Sequence, residues 1–221
     1  MEFGLTEEQR LLVRSVGKFV EEELYPYEDD VETTNLVTPE LAQQIRNRSI
    51  SLGFYAANMP EDIGGGGLDA VSLALFEMEL GKASFPLQYL VARPSNILQA
   101  CSDIQRERYL LPCIRGEKTD CLAMTEPDAG SDIRSMNCTA KRFGDQFMID
   151  GTKHFISHAD IADFVILFAA TGEEEATYGS RKKITAFLVD IETPGLTVRP
   201  GYRLSLIHIS EPTRPRLISY A

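Results

Sequence analysis

The apolar positions of the chain follow one period up to about residue 119 and another beyond it. In the first stretch they recur at helical spacing. Thr6-Glu7-Glu8-Gln9 makes a capping box, in which the Thr hydroxyl accepts from the third backbone N–H and the Gln side chain reaches back. Leu12, Val16, Phe19, Val20 and Leu24 then share one face, and Pro26 is expected to end the helix. Thr38-Pro39 is a second start, with Leu41, Ile45 and Leu52 leading toward Gly53. Residues 58–67, with their run of four glycines, read as a loop. A third helix is expected after Asp69, with Val71, Leu75, Met78 and Leu80 inward and Gly81 at its end. Shorter helical segments are expected at 87–92, 94–100 and 104–114.

Beyond residue 120 the period becomes two. The runs 138–143 and 146–150 flank Gly144-Asp145, a tight hairpin signal. Residues 163–170 and 184–190 are β-rich apolar runs, and the charged stretch 173–183 between them reads as a solvated loop. After the turn at Thr193-Pro194-Gly195 an extended strand is expected over 196–199. Helices followed by strands, without alternation, predict an α+β chain: an all-α domain over 1–119 and a β domain over 120–203.

Composition narrows the function classes. A hydrophobic share of 43% with 25% charged residues excludes wholesale disorder. The net charge of −11 speaks against nucleic acid, whose phosphates require clustered Lys and Arg. No apolar run reaches the length of a membrane span, and the acidic start MEFGLTEEQR lacks the apolar region of a secretory signal. Cys101, Cys113, Cys121 and Cys138 show no metal-ligand spacing and read as reduced, mostly buried thiols of a cytoplasmic protein.

Gly64–Gly67 matches neither a P-loop nor a dinucleotide fingerprint, so it reads as a permissive turn. The segment from Leu122 to Asp132 is more informative. It leaves a short apolar strand and enters a Pro/Asp/Gly/Ser loop with successive backbone N–H groups and the hydroxyls of Thr125 and Ser131. That inventory suits a flavin edge or a pyrophosphate, and it equally suits an acidic surface turn. Glu126, Asp128 and Asp132 lack the calcium-loop pattern and are expected to be solvated or capping carboxylates. His154 and His158 stand four apart, but in a β region, so no metal site is expected. No nucleophile elbow is present.

These residues resemble the flavin-dependent acyl-CoA dehydrogenase family over residues 1–203. Phe3-x-Leu5-Thr6-x-Glu8-Gln9 is similar to the family's N-terminal entry. Pro60-Glu61-x-x-Gly64-Gly65-x-Gly67-Leu68 is similar to the loop before its third long helix, which here ends Glu79-Leu80-Gly81-Lys82-Ala83. Met124-Thr125-Glu126-Pro127-x-Ala129-Gly130-Ser131-Asp132 is close to its signature flavin loop, and Gly151-Thr152-Lys153-x-Phe155-Ile156-Ser157 resembles its second flavin segment. The resemblance implies an N-terminal helical domain, a middle antiparallel β-barrel or sandwich, and FAD as cofactor. Backbone atoms of Leu122 and Met124 and the Thr125 hydroxyl would contact the flavin ring, and Gly130 and Ser131 would hold phosphate. Ser131 would also lie near the thioester substrate. Phe155 and Ser157 would flank the ring, Phe155 standing where many members have tryptophan.

The reaction implied is α,β-dehydrogenation of an acyl-CoA thioester in fatty acid metabolism. Its electrons would pass to an electron-transfer flavoprotein or similar acceptor, and the full-length protein would be a homo-oligomer. The family's catalytic base is a glutamate in a C-terminal four-helix domain. That domain has no counterpart in these 221 residues, so a fragment with flavin loops and no catalytic residue is expected, inactive alone. The alternatives are a catalytically silent product or a same-scaffold flavoenzyme of oxidase or monooxygenase type. Past Arg203 the resemblance stops. Leu-Ser-Leu-Ile-His-Ile-Ser-Glu-Pro-Thr-Arg reads like a frame translation of the transposon-end adapter used in sequencing libraries, so 204–221 is expected to be non-native. An uninterrupted genomic reading frame with this tail would sink that expectation.

Overall fold

The computed structural model describes residues 4–34, 36–91, 94–176 and 179–199. The expectation for 204–221 lies outside them. The chain divides into two compact units between Lys118 and Thr119.

The first unit is helical. Helix α1 (Glu7–Phe19) starts on the capping box: the Gln9 amide donates to the Thr6 hydroxyl at 3.2 Å, and the Thr6 amide donates to the Gln9 side chain at 3.1 Å. Val16, Phe19, Val20 and Leu24 are buried, as their spacing requires. Pro26 does not end the helical path. A π turn over Val20–Leu24 and a 3-10 turn over Tyr25–Tyr27 lead into α2 (Glu28–Thr34), and Pro26 sits at the start of the 3-10 turn, where its missing N–H costs nothing. Helix α3 (Pro39–Ser51) is capped by Thr38 and buries Ile45, whereas Leu52 is exposed.

Helix α4 (Ala70–Leu80) corrects the expected face. Ser72, Phe76 and Leu80 are buried, while Val71 and Met78 are exposed. The helix is apolar almost all round, so its period alone does not fix which side turns inward. Phe76 packs at 5.8 Å on Phe54, which packs at 5.5 Å on Phe19. The glycine run is structural: a Cβ on Gly65 would fall 2.2 Å from the Met59 carbonyl oxygen. The other helices of this unit among the described residues are a 3-10 turn within the glycine loop (Glu61–Ile63), α5 (Phe85–Gln88), a 3-10 turn (Asn96–Ala100) and a run through α6 (Asp103–Gln105), a π turn (Arg106–Leu110) and α7 (Leu111–Ile114). Residue 92, part of the segment expected at 87–92, lies outside the described residues.

The second unit is a five-stranded mixed sheet of β1 (Asp120–Ala123), β2 (Thr139–Phe143), β3 (Gln146–Asp150), β4 (Phe164–Ala176) and β5 (Gly179–Asp190). The class is α+β as expected, but the sheet is not wholly antiparallel: β1 and β2 both run parallel to β4. Strand β5 pairs with β4 along its length, so β1 and β2 share the opposite edge of β4, at Phe164–Leu167 and at Ala170 respectively. The stretch 124–138 is therefore an excursion between two strands that flank the same edge. Cys121, Ala123, Cys138, Ala140, Val165, Leu167 and Ala169 form the core beneath it.

Three expectations change here. Residues 173–183 are not a loop, since β4 and β5 extend through the described part of this stretch. Opposite charges face one another across the ladder, with Glu174 and Arg181 at 2.7 Å, so a run that reads as solvated in sequence pairs in structure. Residues 196–199 form no strand. His154 and His158 lie in the irregular connection between β3 and β4 rather than in a strand.

Candidate functional site

The strand pairing sets the direction of every peptide group in β1. The Ile191 amide donates to the Asp163 carbonyl at 3.1 Å, so the odd residues of β4 up to Ala169, before the register shift at Ala170–Gly172, face β5. The even ones face the other edge, as the bond from the Ala170 amide to the Cys138 carbonyl at 2.9 Å shows. In a parallel pair, the residue in register with an inward-facing partner turns its own N–H and C=O away. Leu122 stands opposite Ile166 and so presents its backbone to the outer side of β1. Among the described residues no strand covers that side.

After β3 the chain swings back along this outer side. Gly151 lies against Cys138, and beyond it the His154 amide donates to the Thr125 carbonyl at 2.9 Å. The Lys153 ammonium donates to the Met124 carbonyl at 3.0 Å and to the Glu126 carboxylate at 2.8 Å. That ion pair is buried, with side chains 8% and 3% exposed. The second Glu126 oxygen accepts from the Asn137 amide and the first also accepts from the Cys138 amide at 3.0 Å, so the carboxylate ties the start of the excursion to its end. Burial pushes the Glu126 pKa up, but the bonds from Lys153, Asn137 and Cys138 outweigh it and hold the group below the usual carboxylate range.

Asp132 behaves as a cap: its bonds from the Ser135 hydroxyl and the Arg134 amide lower its pKa. Glu126 corrects the sequence reading, since it is neither solvated nor a helix cap. Phe155 adopts φ 57°, a left-handed conformation rare for a bulky residue, and its ring stacks on His154 at 3.9 Å. Burial depresses the His158 pKa. No group of three His, Cys, Asp or Glu side chains among the described residues is placed to hold a metal.

The structure thus brings Met124 and Thr125 together with Lys153 and His154, and Leu122 lies just before this junction, within β1. No hydrogen bond among the described residues engages the Thr125 hydroxyl. Gly130 and Ser131 lie exposed further along the loop, and Ser157 is exposed in the second segment; no bond among the described residues ties these three to the junction.

Residues 6–117 match the family model described as the acyl-CoA dehydrogenase N-terminal domain, and residues 121–206 match that of the middle domain. The chain belongs to the acyl-CoA dehydrogenase family. Its curated relatives include a 3-(aryl)acrylate reductase of Clostridium sporogenes, 34% identical over 208 residues that cover 91% of this chain and 53% of the relative. A benzylmalonyl-CoA dehydrogenase of Aromatoleum aromaticum is also 34% identical, over 90% of this chain and 51% of the relative. A glutaryl-CoA dehydrogenase of Mycobacterium smegmatis, solved in complex with FADH2, superposes with a TM-score of 0.75 at 28% identity, covering 90% of this chain and 49% of that one. The chain spans about half the length of the curated relatives it matches.

Within this family member, the pairing of Glu126 with Lys153 and the docking of His154 on Thr125 went unread in the sequence. The available signal was slight: a lysine and a glutamate of opposite charge, 27 positions apart.

Proposed function

We propose that this chain carries the flavin-binding part of an FAD-dependent acyl-CoA dehydrogenase. The observation that carries the reading is the outer side of β1, where the Leu122 backbone turns away from β4 and leads into the junction at which Lys153 and His154 hold the Met124 and Thr125 carbonyls, while no bond among the described residues engages the Thr125 hydroxyl. Donors and acceptors without side-chain bulk permit close approach of a planar ring, so the residues present fit the group.

When bound, FAD supplies the acceptor for the β-hydride of an acyl-CoA thioester. The chain's own groups orient it. The Leu122 and Met124 backbones and the Thr125 hydroxyl would contact the ring, and Phe155 and Ser157 would flank it. Gly130 and Ser131, exposed on the loop, would hold phosphate, and Ser131 would also lie near the thioester. The α-proton requires a base that we assign to the family's C-terminal helical domain. None of Glu173, Glu174 or Glu175 serves, since all three lie on the β4–β5 ladder, where Glu173 accepts from the Ser180 hydroxyl and Glu174 pairs with Arg181. The electron acceptor is a flavoprotein of the electron-transfer class, and the whole protein is a cytoplasmic homo-oligomer.

The Clostridium relative is named for the reverse chemistry, reduction of an acrylate. This favours a second reading, in which the same flavin contacts deliver hydride to a conjugated carboxylic substrate. Titration of the chain with FAD, followed by flavin fluorescence, tests the binding common to both. Absence of saturable binding, in this chain and in one extended by the family's C-terminal domain, would overturn the proposal.

A further inference from the structure

We infer that the buried Glu126–Lys153 pair is the positioning device of the flavin loop, with Lys153 aiming the Thr125 N–H and Glu126 closing the neck of the loop. The inference rests on the FAD reading for its purpose, but its geometry stands apart from it. A trans peptide points its C=O and N–H in opposite directions. Holding the Met124 carbonyl on the Lys153 ammonium at 3.0 Å therefore fixes where the Thr125 N–H points. The next peptide is fixed the same way, since the Thr125 carbonyl is held by the His154 amide and the Glu126 amide on its far side donates to the Ala129 carbonyl at 2.8 Å.

The stretch 124–138 protrudes where β4 passes from one neighbour to the other, so no ladder bond spans its base. The Glu126 carboxylate replaces the missing ladder by accepting from Asn137 and Cys138. A carboxylate buried there needs a cation, and Lys153 provides one from the segment that must dock alongside. One ammonium thus neutralises the neck and sets the ligand-facing peptide at once. A hydrophobic replacement of the pair would restore packing without restoring the direction of that peptide.

The test compares the whole chain with Lys153→Met and with the charge-free pair Glu126→Gln/Lys153→Met, which guards against a single variant that fails to fold. Amide hydrogen exchange needs no ligand. In Lys153→Met, the Asn137, Cys138 and His154 amides are expected to exchange at least tenfold faster, with α1 and α4 unchanged. In the double variant the single side-chain carbonyl introduced by Glu126→Gln still accepts one of the two bonds, so one of the Asn137 and Cys138 amides recovers while His154 stays fast. With FAD added, the double variant is expected to show at least a tenfold weaker dissociation constant and a shifted visible absorption band, which simple loss of stability would not produce. Wild-type exchange at His154 in both variants would overturn the inference whether or not the flavin binds. Failure of both the unaltered chain and the chain extended by the family's C-terminal domain to bind FAD would overturn the functional reading alone.

Discussion

Gly151 and Cys138 meet backbone to backbone: a Cβ on Gly151 would fall 2.7 Å from both the Cα and the Cβ of Cys138. Gly151 also adopts φ 153°, which side-chain-bearing residues avoid. Gly151→Ala must therefore push the second segment away from the first. The expected cost is about 2–3 kcal/mol in urea unfolding, from overpacking against atoms that cannot rotate aside. A loss below about 0.5 kcal/mol would show that the two segments separate freely.

Thr125 presents its hydroxyl to no protein partner among the described residues. Thr125→Val is expected to leave the unfolding midpoint unchanged, within about 0.5 kcal/mol. It should weaken FAD binding about fivefold, the worth of one hydrogen bond of about 1 kcal/mol. Fluorescence titration separates the two effects.

Acid should loosen the loop through Glu126. Its folded pKa lies below the ordinary value, so the stability it contributes is complete above the unfolded carboxylate pKa of about 4.3 and is lost as the pH falls through the folded one. Unfolding midpoints measured from pH 6 down to 3 should fall more steeply for the natural chain than for Glu126→Gln. Parallel curves would remove Glu126 from the account.

The inward face of α4 makes a paired prediction. Phe76→Ala should cost about 3–5 kcal/mol, as loss of a fully buried ring in a packed core. Met78→Ala, at an exposed position, should stay within about 0.5 kcal/mol. Chemical denaturation of the two variants decides the phase of the helix.

Thiol labelling follows burial. Desolvation pushes Cys121 up to about 11, helped by Asp120 and Asp160, and Cys113 and Cys138 are buried. Cys101 is partly exposed and should react first with a disulfide reagent at pH 8, the other three only on unfolding. Rapid modification of Cys121 would contradict the packing of β1.

What the sequence made legible is local. The capping box at Thr6, the Thr38 cap and the Gly144-Asp145 turn each need only neighbours a few residues apart, and each stands where expected. The phase of α4 was not legible because apolar residues encircle it. The charges of 173–183 carried no sign of their cross-strand partners, and the parallel course of β1 and β2 depends on β4, far along the chain. At the site, the motif residues were visible as types in order, whereas the bonds from Lys153 and His154 that gather them join positions about thirty apart, which no local pattern encodes.

The outward backbone of β1 has a second consequence. Unpaired peptide groups at the rim of a sheet invite a strand from another molecule, the usual first step of aggregation. Here that rim is only four residues long, and just past it Lys153 and His154 occupy the carbonyls of Met124 and Thr125. The bonds that gather the proposed flavin loop also keep the rim too short to template a foreign strand, so the same two contacts that would serve the cofactor blunt an edge of the sheet.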